Sequence, residues 1–457
     1  MDHTKIASYA QADICIFDKI DEFFNNFNIS TMLHRAGIRK RHGHSVRSLI
    51  KPLFALPFIG KNFFRGIVIN DDIPFGKDAA YDLLKGARSN WRRFLLTLGV
   101  QLYCFFDRLT SEKRESVLII DDSTYDRSRS KKVELLSRVK DHTTGRFVRG
   151  FRLLTLCWSD GVSCLPLDFV LLSSTNAATR FCETTKAVDK RCCAYRRRQE
   201  ATMKSTAHLA DMVKRTLDAG IDASYVLMDS WFAMPATIVR VCEHLPVICM
   251  VKKTPKVLYG YGTRHGDLMT LYRSLKKRRG RAKILASVVV TLKDEQKAKI
   301  VFVRDRRKKD WLALLTTDID LSDEDVVRIY GKRWDIEVFF KMAKQHLKLA
   351  KEIQCRDFDA LIAHTTIVFT RYMFLAYRCR METDHRTFGD LFYACCDELS
   401  DISFIEALYR ILILVADRLR ERGACCEKTA QAFFDAAIEA ALNFVNLSKN
   451  KLVMNEI

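Results

Sequence analysis

The stretch Glu115–Thr124, ESVLIIDDST, decides how this chain is read. Val117 to Ile120 form an unbroken apolar run, and two acids follow at once, Asp121 and Asp122. A short aliphatic run without polar alternation predicts a buried strand that ends in acid. Residues 1 to about 110 read instead as helical and basic, so the hydrophobic period changes at this point. Further on, FVRGFRLLTLCWSDG and VSCLPLDFVLLS are joined by the turn Ser159-Asp160-Gly161 and predict an antiparallel hairpin. A helix is expected over about Glu200–Ala219, ended by Gly220. YVLMDS then repeats the first pattern, an apolar run closed by an acid, Asp229. A helix from about Pro235 and a strand, PVICMVKK, follow. Hairpin-linked strands followed by helix-linked ones predict an α/β fold with a mixed sheet and flanking helices.

From about 250 to 312 the sequence reads as a β-rich insertion (ILASVVVTLK, KIVFV, WLALLT) with two basic runs, KKRRGRAK and RDRRKKD. The helical N-terminal region carries a further cationic stretch, Arg35–Arg47. It also contains two helices divided by the turn Gly86–Asn90, a pattern shared by DNA-reading and ordinary helical hairpins. Beyond 345 the chain reads as helical to its end. These changes divide it into an N-terminal region of 1–110, a central α/β domain of 111–345 and a C-terminal region of 346–457 suited to oligomerisation.

The charge balance points to a partner. Lys and Arg number 76 against 55 Asp and Glu, a formal excess of +21. An excess of that size favours a phosphate backbone. The 15 cysteines include no C-x-x-C, and the adjacent pairs Cys192-Cys193, Cys395-Cys396 and Cys425-Cys426 lack chelate spacing. Reduced thiols in a cytoplasmic protein are expected. The opening residues, MDHTKIASYAQADICIF, show no basic segment followed by an apolar one, so no secretion signal is expected. The longest apolar run, Leu361–Tyr377, holds His364 and Arg371 and falls short of a membrane span, so a core helix and no membrane partner are expected.

YGKRWDIEVFFKMAK (Tyr330–Lys344) carries the most specific pattern. A single helix is expected here, starting at Ser322 with a capping signature. At about 100° per residue, Tyr330, Arg333, Glu337, Lys341 and Lys344 share a stripe roughly 80° wide, and apolar residues cover most of the rest. Asp122, Asp229 and Glu337 brought together at strand ends would repel one another unless they shared a cation. Hard divalent ions such as Mg²⁺ take such oxygen ligands, and two of them suit phosphodiester cleavage. The neighbouring cations would then face DNA phosphates. A plainer role is open to each residue: a strand-end Asp as a turn or cap, the stripe as a solvated face, Glu337 and Lys341 as a surface pair. Asp121 competes with Asp122, because strand alternation lets only one of them reach the site.

The spacing Tyr330, Arg333, Glu337, Lys344 is Y-(2)-R-(3)-E-(6)-K. It resembles the signature of bacterial insertion-sequence DDE transposases of the family numbered four, and the resemblance spans roughly 110–375. It implies a ribonuclease H-like catalytic core with an inserted β-rich domain between Asp229 and Glu337. It implies Asp122, Asp229 and Glu337 as the catalytic, metal-binding triad, with Asp122 preferred to Asp121 because Ser and Thr follow it. Tyr330, Arg333, Lys341 and Lys344 would contact DNA near the cleaved end, and Trp311 would stack on an extruded base, although a core tryptophan suits that strand equally. The resemblance further implies two Mg²⁺ ions, replaceable by Mn²⁺. The expected partners are double-stranded DNA, as terminal inverted repeats and target, and a second copy of the chain on that DNA. Its expected location is the bacterial cytoplasm, at the nucleoid. Two other functions suit the same residues: a transposase-derived DNA-binding protein without cleavage activity, and a ribonuclease H-fold nuclease.

Overall fold

The computed structural model describes residues 16–381 apart from 41, 71–72, 110–113, 142–143, 185–187, 280–281 and 306–309, together with Thr429 and Ala436. The helical C-terminal region expected beyond 381, with Cys395-Cys396 and Cys425-Cys426, otherwise lies outside the described residues, as do parts of both basic runs of the insertion.

Five α-helices open the described chain, α1 (Ile16–Asn26), α2 (Ile29–Arg35), α3 (Val46–Ala55), α4 (Lys77–Leu84) and α5 (Trp91–Asp107), with a π-helical turn at Phe64–Val68 between α3 and α4. In α1 the buried Ile20, Phe23, Phe24 and, just past its end, Phe27 recur at helical spacing and form one apolar stripe. Ser45 caps α3 by accepting from the Ser48 amide at 3.1 Å, and Asn90 caps α5 through the Arg93 amide at 3.0 Å. The turn expected at Gly86–Asn90 does separate α4 from α5. Its second helix turns inward, however. Trp91 is fully buried, and Arg92 pairs with Asp168 at 2.9 Å and with Glu200 at 2.7 Å.

The described strands form one mixed sheet. β1 (Val117–Asp126), β2 (Ser137–Lys140), β3 (Phe147–Ser159) and β4 (Cys164–Leu172) build its antiparallel part, with β3 between β1 and the pair β2 and β4. The β3–β4 hairpin turns where expected. Gly161 has φ +84°, and the Asp160 side chain accepts from the Val162 and Ser163 amides at 2.9 and 2.7 Å. Pro166 is tolerated because β4 pairs only with β3, at a register shift beside Cys157. The helix expected at Glu200–Ala219 is two, α6 (Cys193–Ala201) and α7 (Leu209–Asp218). A short 3-10 turn at Ser205–Ala207 lies between them, and α7 begins eight residues after α6 ends.

β5 (Tyr225–Met228), α8 (Pro235–Cys242) and β6 (Val247–Val251) add two strands parallel to β1, giving the order β3-β1-β5-β6. The segment read as an insertion holds β7 (Tyr259–Tyr261), β8 (Arg264–Gly266), α9 (Leu268–Ser274), β9 (Ile284–Thr291), β10 (Lys297–Asp305) and β11 (Asp310–Thr316). It is β-rich as expected, yet it continues the central sheet: β11 pairs antiparallel with β6, from Ala313 opposite Val251 to Thr316 opposite Ile248.

Three helices close the described chain: α10 (Asp323–Gly331), α11 (Trp334–Gln345) and α12 (Phe358–Met381). Ser322 caps α10 as its sequence suggests, accepting from the Asp325 amide at 3.1 Å. The single helix expected over the signature is broken at Lys332–Arg333, where the amides of Arg333 and Asp335 reach back three residues instead of four. α12 is the expected core helix, buried from Phe358 to Arg378 and packed against α5 and β4. Its two polar intruders are compensated. Arg371 donates to both Glu352 oxygens at 2.9 and 2.8 Å and to the carbonyls of Leu53 and Phe54 at the end of α3, while His364 meets Glu352 at 2.8 Å. Among the described residues no helix is long and apolar enough to cross a membrane.

Candidate active site

The site begins with strand register. Val117–Ile120 of β1 are paired on both sides, with β3 and with Tyr225–Met228 of β5. β5 ends at Met228, opposite Ile120, so Asp121 and Asp229 are the next residues in line on neighbouring parallel strands. Residues at matching positions of paired strands share a face, and successive residues alternate. Asp121 and Asp229 therefore lie on one face of the sheet, and Asp122 on the other. β1 itself runs on to Asp126 because β3 pairs along its whole length, so the two acids are inside the strand and not at its end.

The side chains follow the register. Asp121 accepts from Arg333 Nη1 at 2.9 Å, and the second terminal nitrogen of Arg333 pairs with Glu337 of α11. One guanidinium thus joins the middle of β1 to the first turn of α11. Burial pushes the Asp121 carboxyl up to about 7; Arg333 opposes the shift, and the negative charges of Asp122 and Asp229 add to it. Tyr330, in the last turn of α10, points its hydroxyl at the Met228 carbonyl, 3.5 Å away, next to Asp229. Burial raises the phenol well above its usual value, against Arg333 and with help from Asp229. Asp121, Asp229, Glu337, Tyr330 and Arg333 accordingly form one group.

Asp122, expected in this group, is placed elsewhere. It faces the opposite side, where Arg152 Nη1 meets its two oxygens at 3.1 and 2.9 Å. The residue expected to point away, Asp121, is the one that shares Arg333 with Glu337. Comparing the two apolar runs, VLII and YVLM, would have exposed this: each is four residues long, and the first acid after each is Asp121 and Asp229.

The rest of the stripe fans out. Lys341 is exposed. Lys344 is half-buried, its ammonium lowered by burial against the pull of Asp141 and Asp126, which places it toward the far end of β1. Trp311 lies apart, 8% exposed on β11. Tyr272 stacks on it at 4.5 Å, Phe302 packs edge-on at 5.1 Å and Lys253 Nζ sits 3.9 Å from the ring centroid. Trp231, an exposed indole two residues after Asp229, lies beside Arg152 and Lys252, and none of the three belongs to a motif of the sequence.

Three carboxylates give an all-oxygen donor set, which fits a hard divalent cation in kind. In the present arrangement Arg333 neutralises two of them, and among the described residues no group of three or more His, Cys, Asp or Glu side chains is set to hold a metal. Among the described residues no disulfide joins the ten cysteines.

Known proteins give this geometry a context. The sequence model of one family, described as DDE superfamily endonuclease, matches residues 71–308. That range covers Asp121, Asp229 and Trp231 and stops short of Glu337. No curated protein matches the chain.

Proposed function

This chain belongs to the DDE superfamily endonucleases, and on that premise we propose that it is a DNA transposase of the insertion-sequence type. Endonucleases of this superfamily use divalent metal ions, and their substrate is DNA. In our reading the chain binds the terminal repeats of its element as a homodimer, cuts there and joins the freed 3′-hydroxyl ends to target DNA. The observation that carries it is the register that sets Asp121 beside Asp229, with Glu337 reached through Arg333.

Asp121, Asp229 and Glu337 would hold the ions, for which we propose Mg²⁺. Asp121 takes the place that the sequence resemblance gave to Asp122. Two such ions supply an activated attacking oxygen and a stabilised leaving oxygen in phosphodiester cleavage. The protein's own side chains position the strand. Arg333, released from the carboxylates, offers a two-pronged donor to a phosphate, a geometry suited to bidentate contact. Tyr330 offers a hydroxyl that keeps its proton. Lys341 and Lys344 extend positive charge along α11 for the adjoining phosphates. Lys276, Lys277, Arg278, Arg279 and Lys283, with Arg35, Arg39, Lys40 and Arg47, add positive charge outside this group.

The test is to incubate the protein with its element's end sequences and Mg²⁺ and to map nicks on both strands. Cleavage at the repeat ends followed by strand joining is the expected result. Specific binding without nicking would instead support a DNA-binding protein that has lost cleavage, a reading favoured by the hold of Arg333 on two of the carboxylates.

A further inference from the structure

A cleft of about 680 Å³ shares no lining residue with the carboxylate group. Four segments of the chain build it. Tyr81 and Lys85 come from the end of α4, Lys132 from the chain after β1, Cys182 from the chain beyond β4, and Arg356 from the connection between α11 and α12. These walls are tied together. Arg127, next after β1, donates to the carbonyls of Ala350, Ile353 and Cys355 at 2.9, 2.9 and 3.4 Å. The Glu134 amide donates to the Arg356 carbonyl at 2.9 Å, and the Cys182 thiol donates to the Lys131 carbonyl at 3.3 Å. The cleft is preformed and has the size of a small-molecule site.

Its available charge is one-sided. The acids in its lining are already engaged: Arg198 holds both Glu134 oxygens at 2.7 Å, Arg180 donates to Glu183 at 2.8 Å, and the Asp359 amide donates to Asp357 at 2.9 Å. Lys85, Lys132 and Arg356 are exposed and make no ion pair among the described residues. The Lys85 ammonium rests instead 4.9 Å from the Tyr81 ring centroid. Burial pushes the Tyr81 phenol and the Cys355 thiol up from their ordinary values, so neither adds negative charge at neutral pH. Three cations beside an uncharged wall suit an anionic group attached to an organic body, and phosphate esters have that make-up. We propose that this cleft binds the phosphoryl groups of a nucleotide, with Lys85, Lys132 and Arg356 as donors and Tyr81 beside the organic part. The same chemistry has two sources, a free nucleotide and the nucleotides of a DNA strand. Neither source requires cleavage at the carboxylates.

The experiment titrates the full chain, without divalent metal, into a nucleoside diphosphate with a fluorophore on its ribose and follows anisotropy. Saturable binding is expected, reversed by unlabelled ADP and by inorganic pyrophosphate but not by adenosine. Lys85→Gln/Arg356→Gln should weaken it by roughly tenfold, the size expected for two exposed charge contacts. Lys214→Gln/Lys293→Gln changes the net charge equally at exposed positions outside the cleft and should bind like wild type. Thermal melting checks that both variants are folded. A second arm measures a short labelled duplex with the same proteins. Loss of probe binding in the cleft variant alone assigns the site to a free nucleotide. A probe that does not bind, with duplex affinity lost in the cleft variant alone, assigns it to DNA phosphates. The proposal is overturned if the two variants behave alike toward both ligands.

Discussion

Arg333 and Asp121 form a 2.9 Å ion pair that reaches from the junction of α10 and α11 to the middle of β1. Since the same guanidinium pairs with Glu337, Arg333 competes with any cation for the oxygens of two carboxylates. Removing it should release both. Arg333→Ala is expected to bind Mn²⁺ about tenfold more tightly than wild type in the absence of DNA, a gain of roughly 1.4 kcal/mol. The same variant should cleave DNA poorly, having lost its phosphate donor. Calorimetric titration with Mn²⁺ reads the first effect independently of activity. Equal or weaker Mn²⁺ binding by the variant would show that Arg333 does not occupy the cation's place.

The two adjacent acids separate cleanly. Asp121→Asn should abolish cleavage while leaving DNA binding nearly intact, because its carboxylate serves the metal and not the bulk of the interface. Asp122→Asn should retain cleavage and instead loosen Arg152, which it now holds from two oxygens. A nicking assay on both variants decides. Loss of cleavage in Asp122→Asn with retention in Asp121→Asn would restore the assignment suggested by the residues that follow Asp122.

Much of this is legible in the order of amino acids alone. The β3–β4 hairpin, the strands at Val117 and Tyr225, the turn at Gly86–Asn90, the cap at Ser322 and the core helix at Phe358 all have local causes: turn residues, apolar runs and capping side chains. The face occupied by Asp121 has a non-local cause. It depends on how β1 is aligned with β5, a strand about a hundred residues away, and a one-residue slip exchanges the two acids. The break at Lys332–Arg333 was hidden for a similar reason. No proline marks it, and Gly331 alone is a weak signal. Nor could composition reveal that the β-rich segment would add its strands to the edge at β6.

Basic residues distant from the carboxylates should act on affinity alone. Lys276, Lys277 and Arg279 precede β9, and Arg278 between them is within 3.7 Å of Asp323 and Glu324. Neutralising Lys276, Lys277 and Arg279 together should weaken binding and reduce the salt slope by about one unit for each phosphate no longer neutralised. Cleavage of bound DNA should proceed at the wild-type rate. Binding measured at several salt concentrations, with single-turnover nicking at saturating protein, separates the two quantities. An unchanged slope would remove this run from the interface.

The last expectation concerns stability, and it follows from His364. Its ring is buried beside Glu352, with Arg371 and Arg127 as the neighbouring cations. Burial lowers its proton affinity below the usual 6.5, the Glu352 carboxylate opposes this, and the two arginines reinforce it. In the unfolded chain the imidazole takes up a proton as pH falls through about 6.5, whereas the folded chain does so only at lower pH. Acidification therefore favours the unfolded state in that window, by at most roughly 1.4 kcal/mol per pH unit for one group. Glu352 acts in a separate window. Its carboxylate is held below the usual value by Arg371 and His364 despite burial, so its contribution is lost only in stronger acid, as pH falls through that depressed value. His364→Gln keeps a donor for Glu352 and removes the titration. Denaturation followed between pH 5.5 and 7.5 should show a shallower pH dependence for this variant than for wild type. Identical slopes would mean that His364 titrates alike in both states. Arg371→Met tests the other half of the arrangement: leaving Glu352 buried without its cation should cost about 3–5 kcal/mol, well beyond any effect of His364.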